Sequence, residues 1–270
     1  MAAPPPVRSK GVGGVRPRQA SPRALAIAGG VVLIAVIAIV LGVTLGSSGG
    51  NSGAPVSDLP AVGNANSSTA LPGAQEANNL FKGIPQKGLV LGKPSAPVEM
   101  EMFVDVQCPI CQDYEVNSLP TIVQKYIRPG KVQLHLQPWA FLGGQGSQSF
   151  SGRLALIAAS FQNKGFQYAK VLYDNQGPEE SGWLTDSMMG QIAASVNGLK
   201  VHQVLSQKND GATKTIADKV DQLAKAAKVT GTPTVLIGPT GGKLKDIMPP
   251  GYSPTLQITE QSLDAALANA

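Results

Sequence analysis

The chain has 270 residues, 43% of them hydrophobic and 14% charged, enough to bury a substantial core in one domain with extensions. Its two cysteines lie three positions apart, and a bridge between them closes a loop too short to cross-link distant parts of a fold, which excludes a disulfide-stapled miniature. The formal charge is +5, but Arg8, Lys10, Arg16, Arg18 and Arg23 all precede the first acid, Asp58; without those five, 17 basic residues face 17 acidic ones. Basicity confined to one terminus, with no basic stretch interleaved with aromatics, argues against a nucleic-acid partner.

Residues 1–23 form the basic tail, and residues 24–46 follow as 23 positions without a charge. As a helix rising about 1.5 Å per residue, such a run spans a hydrocarbon core of roughly 30 Å. It reads as a transmembrane anchor; a cleaved secretory signal is the alternative, with apolar regions of typically about 7–15 residues. The next basic residue after Arg23 is Lys82, so the positive-inside rule puts the tail in the cytoplasm and the remainder outside the membrane. From 47 to 79 the composition turns to Ser, Gly, Asn, Ala and Pro, which predicts a flexible extracytoplasmic linker.

The domain proper is expected over 80–270. Leu89, Val90 and Leu91 suggest a short strand, and Val98, Met100, Met102, Val104 and Val106 alternate along a longer one. Pro109 suits the first turn of a helix carrying Leu119, Ile122, Val123, Tyr126 and Ile127, in which Pro120 predicts a kink. A strand with Val132, Leu134 and Leu136 ends at Pro138. Apolar stripes then recur at helical spacing: Phe150, Leu154, Ile157 and Phe161; Leu184, Met188 and Ile192; Ile216, Val220, Leu223 and Ala227. A hairpin over Thr234–Ile237 and Lys243–Ile247 and a final helix with Leu263, Ala266 and Leu267 complete an α/β domain whose sheet is interrupted by a helical insertion at about 145–229.

Chemistry concentrates at Cys108-Pro109-Ile110-Cys111, a C-x-x-C where a strand passes into a helix. Unpaired N–H groups and the positive end of the helix dipole favour an anion there, so Cys108 is expected to ionise and attack while the shielded Cys111 resolves. The same spacing is half of a zinc site, but the other soft ligands, His135 and His202, fall on separate predicted elements, and no metal is assigned. Trp139, Phe141 and Trp183 read as core or rim packing, with a hydrophobic substrate groove as the alternative.

With Pro120 in the following helix, the helical insertion and Val229-Thr230-Gly231-Thr232-Pro233-Thr234, this dithiol resembles the DsbA-like thioredoxin family of exported bacterial proteins, over about residues 88–270. The resemblance implies a thioredoxin-like fold and a thiol-disulfide oxidoreductase. It also implies a cis Thr232–Pro233 peptide that lies against the dithiol and receives substrate as an extended strand. No cofactor is needed beyond the Cys108–Cys111 pair. The implied partners are exported cysteine-containing proteins, and a quinone-linked membrane thiol oxidase of DsbB or VKOR type that restores the disulfide to a monomeric enzyme. A reductase of the same fold and a metal-delivery protein using the C-x-x-C are the competing functions.

This sequence departs from the family pattern at two places. Met102 stands where an acid commonly serves the buried thiol; Glu101 and Asp105 flank it, and the proton acceptor stays open. Ile110 stands where the best-known oxidants carry histidine, which predicts a less strongly stabilised thiolate and a less oxidising disulfide.

Overall fold

A computed structural model describes residues 55–248 and 251–270. The basic tail, the transmembrane helix assigned to 24–46 and the first part of the linker lie outside the described residues. Among the described residues no helix is long and apolar enough to cross a membrane.

The sheet is built on β3 (Val98–Val104), whose alternating Val98, Met100, Met102 and Val104 are buried together as the pattern requires. β3 pairs in parallel with β4 (Val132–Pro138) and antiparallel with β5 (Thr234–Pro239). The edges are β1 (Gln86–Lys87) and β2 (Val90–Leu91) on one side and β6 (Lys245–Asp246) on the other, in the order β1-β2-β4-β3-β5-β6. The expected hairpin is β5 with β6; β1 was not foreseen, because two polar residues carry no periodic signal.

A continuous right-handed helix over residues 109–127 follows β3. Pro120 neither breaks it nor leaves it regular. The segment Tyr114–Ser118 widens into a π turn, and the Leu119 amide bonds the Tyr114 carbonyl, five residues back. Widening takes the Val116 carbonyl out of the path of the proline ring, which in a regular α-helix would collide with it. Five further helices follow β4: Gln148–Ser160, Gly165–Asp174, Asp186–Ala194, Val201–Gln207 and Gly211–Ala226. They form the predicted insertion, and helix Leu256–Ala268 returns to the sheet.

Two features of the insertion depart from the expected stripes. Helix Gln148–Ser160 is buried on almost every side, and Gly152 lets it approach closely: a Cβ there would lie 2.8 Å from Val106 and 2.4 Å from Leu184. Helix Gly211–Ala226 buries Val220 as expected, together with Thr213, Ala217 and Ala224, while Ile216 and Leu223 are half-buried against the core and Ala227 is exposed. Thr213 can face inward because its hydroxyl donates to the Gln207 carbonyl at 2.7 Å.

The linker expected over 47–79 is corrected by the structure, since its described part, from 55 onward, is docked on the domain. Leu59, Ala65, Ala74 and Ala77 are buried, and helix Ala74–Leu80 packs on helix Gly165–Asp174. The backbone supplies what bulky side chains do not. Gly63 N–H donates to Leu199 O at 2.9 Å, Asn64 N–H to Ala194 O at 2.8 Å, and Leu71 N–H to the Ser195 hydroxyl at 2.9 Å. Small residues are required for that approach: a Cβ on Gly63 would meet the Val196 carbonyl at 2.2 Å. Gly63→Ala is therefore expected to lower stability by about 1–3 kcal/mol, read as a drop in thermal midpoint with the sheet spectrum unchanged.

Candidate active site

The end of β3 carries the chain into the site through Asp105, Val106 and Gln107, all buried to within 1%. Asp105 organises the turn. Its carboxyl accepts the Gln107 amide at 2.8 Å, the Ser149 hydroxyl at 2.7 Å and the Leu142 amide at 2.8 Å, joining the strand end to the loop after β4 and to the insertion. Gln107 adds a second latch, its side-chain oxygen accepting Trp183 Nε1–H and the Glu180 amide, both at 3.2 Å.

Cys108 sits at the N-terminal boundary of the helix and Pro109 in its first turn, where a missing N–H leaves nothing unsatisfied. Cys108 keeps 5% of its surface exposed and Cys111 none, so only the first sulfur is open to attack or be attacked. Both thiols are unbridged. Donors converge on Cys108. The Cys111 thiol acts most strongly, opposed by burial; the Cys111 amide, Thr232 and the Ile110 amide add to it and bring Cys108 down to about 6. Burial, and then the neighbouring Cys108 sulfur, push Cys111 well above the ordinary thiol range. One sulfur is thus ionised at neutral pH while the other holds its proton.

The Thr232–Pro233 peptide is cis, as the family resemblance implied, and it reaches the dithiol from 124 residues downstream: as a thiol, Cys108 Sγ donates to the Thr232 carbonyl at 3.4 Å. The Thr232 hydroxyl is buried with no partner beyond the two sulfurs. Around this point the surface is mixed, with Thr230, Thr234, Asp246 and Ser253 beside Met248 and Tyr252. Ile110 is 48% exposed and Tyr252 71%, and Tyr252 borders a groove of about 280 Å³ with Thr230, Thr232, Pro233 and Met248. Phe141 stacks near Trp139 with ring centroids 5.2 Å apart, so of the three flagged aromatics Phe141 faces solvent, Trp139 backs it, and Trp183 serves the Gln107 latch.

The structure thus brings Cys108, Pro109, Ile110, Cys111, Thr232 and Pro233 into one site. His135 lies apart, beside Glu99 at 3.5 Å with its other ring nitrogen on Gln133 at 2.9 Å, and His202 is exposed. Among the described residues no group of three or more potential ligands could hold a metal. Residues 85–243 match the family model described as thioredoxin. The chain belongs to the thioredoxin family.

The similar proteins include some named for disulfide bond formation. The probable disulfide bond formation protein D of Bacillus cereus is 29% identical over 165 residues, covering 60% of this chain and 74% of the relative. Disulfide bond formation protein D of Bacillus subtilis is 26% identical over 170 residues, with the same coverage. Among solved structures, oxidised BdbD from Bacillus subtilis superposes with a TM-score of 0.57 at 20% identity, covering 68% of this chain and 97% of that one. Chlamydia trachomatis DsbA gives 0.55 at 16% identity, covering 66% and 90%. With its dithiol intact, this member of the thioredoxin family is a thiol-disulfide oxidoreductase, and its fold is similar to that of DsbA.

Sequence reading missed Gln107, which nothing local distinguishes from a solvated turn residue, and the organising role of Asp105. The arrangement has two measurable consequences. The ultraviolet absorbance of the Cys108 thiolate should titrate near pH 6, and Cys111→Ala, which removes its strongest donor, should move the midpoint up toward the ordinary thiol value. Asp105→Ala leaves three donors without an acceptor and should cost about 2–4 kcal/mol in chemical denaturation, together with slower exchange at Cys108.

Proposed function

We propose that this enzyme introduces disulfides into exported proteins outside the cytoplasmic membrane. The observation that carries the reading is the stabilised thiolate of Cys108, since a dithiol whose reduced form is stabilised holds its disulfide at high potential and gives it away readily. A client thiolate attacks Cys108, the Cys108–Cys111 bond breaks, and Cys111 leaves. A second client thiolate then attacks the client sulfur of the mixed disulfide and releases Cys108 as thiolate. Thr232 and Pro233 offer backbone to an extended client segment, and the exposed Ile110 and Tyr252 give it apolar contact. The names of the Bacillus relatives, disulfide bond formation protein D, support the same direction of electron flow.

In this reading residues 1–23 stay in the cytoplasm, 24–46 anchor the chain in the membrane, and a monomeric catalytic domain that begins by residue 55 works outside. A quinone-linked membrane thiol oxidase returns the two electrons from the dithiol to the membrane. Ile110 in place of a polar donor favours a potential below that of the strongest oxidants.

Equilibration with defined thiol buffers tests the direction. A potential between about −120 mV and about −200 mV is expected, and one near thioredoxin's, about −270 mV, would reverse the reading to a reductase. The full-length Cys111→Ser variant should accumulate mixed disulfides between Cys108 and exported clients. A variant that traps none and instead differs from the native protein only in bound metal would point to metal delivery.

A further inference from the structure

The helix that begins at the dithiol carries a second recess on its outer side. Pro109, Gln112, Asp113, Val116 and Asn117 recur at helical spacing and make one stripe about 12 Å long, and Tyr173 and Asp174, at the end of helix Gly165–Asp174, form the facing wall. Between them lies a groove of about 260 Å³. Its near end is Pro109, an exposed residue that directly follows Cys108. A polypeptide that presents a cysteine to Cys108 therefore carries the neighbouring residues of its chain within reach of this groove.

The chemistry of the lining is one-sided. Asp113 and Asp174 are its charged side chains, and among the described residues no lysine, arginine or histidine lines it. Gln112 Nε2 donates to the Tyr173 carbonyl at 2.9 Å and Asn117 Nδ2 to Asp113 Oδ1 at 2.7 Å. Both amides thus spend donors on the protein, and neither amide oxygen has a partner among the described residues.

Asp174 adds a charge that the fold leaves short of partners. Its side chain is 11% exposed; one oxygen is bonded to Lys170, and the other, beside Gly73, is buried without a hydrogen bond among the described residues. Lys170 is itself only 2% exposed and also lies 3.8 Å from Glu76, so its charge is shared behind the wall. Burial holds the Asp174 carboxyl above the usual carboxylate range, with Lys170 acting against it.

We propose that this groove binds a lysine or arginine side chain of the client polypeptide, placed about two to four residues from the cysteine that reacts with Cys108. An extended chain advances about 3.3 Å per residue, so those positions lie about 7–13 Å from the reacting sulfur, the span over which the stripe from Pro109 to Asn117 runs. An ammonium or guanidinium brings the donors and the positive charge that the lining lacks, and Pro109 and Val116 give apolar surface to its aliphatic stem. The inference rests on the polypeptide substrates of the proposed function and holds for either direction of electron flow.

The test is the rate of exchange between the oxidised full-length protein and reduced two-cysteine peptides. The peptides differ only in carrying Arg, Gln or Glu at one position, two to four residues before or after the cysteine pair. At low salt Arg should exceed Glu in kcat/KM by at least about threefold at one or two adjacent positions, with Gln between them and the gap closing as salt is added. Asp113→Asn should bring that ratio toward one, and Asp113→Lys should turn it in favour of Glu. Equal rates for the three residues, a preference spread evenly over every position, or a ratio unmoved in folded Asp113→Asn would each overturn the assignment, and the peptide series on native protein decides even where a variant does not fold. Peptides oxidised without regard to charge remove this inference and leave the proposed function standing. If no peptide exchanges while dithiothreitol still does, both fall.

Discussion

Everything in this molecule turns on an anion stabilised without a cation. Cys108 is buried, which opposes ionisation, yet the influences that lower it are hydrogen-bond donors and none is a positive side chain. Hydrogen bonds to a charged group are worth about 1.5–3 kcal/mol each, so two or three outweigh the desolvation of a partly covered sulfur. The donors come from separate stretches of chain: Ile110 and Cys111 from the first helical turn, and Thr232 from the loop before β5. The acidity of one thiol therefore measures how well those pieces are docked, and a loosened loop is felt at the sulfur.

Docking is enforced from beneath by Asp105 and Gln107. Their hydrogen bonds run to Leu142, Ser149, Glu180 and Trp183, all outside the β3–helix unit that carries the cysteines. Gly152 completes the arrangement by letting the central insertion helix lie against Val106, two residues before Cys108. The helical insertion is thus part of the active-site support. Burying four spokes of hydrogen bonding around one turn also limits the conformations open to it, which keeps the helix N-terminus aimed while the sulfur changes partners.

What the sequence disclosed depended on how local each cause was. The dithiol, its strand-to-helix setting and the core face of β3 could be read directly, because each is fixed by spacing within a few residues. Thr232 and Pro233 became legible only through the family resemblance, since no pattern links them to Cys108 across the insertion. Residues 55–79 were misread for a definite reason: composition counts bulky side chains, whereas this segment is held by backbone bonds to 194–200 and by glycine and alanine fitting closely. In helix Gly211–Ala226 the buried face is broader than the apolar stripe, because Thr213, with its hydroxyl satisfied, and two alanines share it with Val220. The burial of Glu115 and Lys170 is a tertiary fact that no local pattern announces.

The recess around Cys108 has a consequence for timing. A sulfur that shows only a sliver of itself, next to the Thr232–Pro233 loop, is reached by a cysteine carried on slack chain that can be drawn out straight, and hardly by one locked into a finished tertiary structure. In the proposed role the enzyme would therefore act as a gauge of maturity, engaging a polypeptide while its cysteines are still unpacked and losing hold of it once folding has withdrawn them.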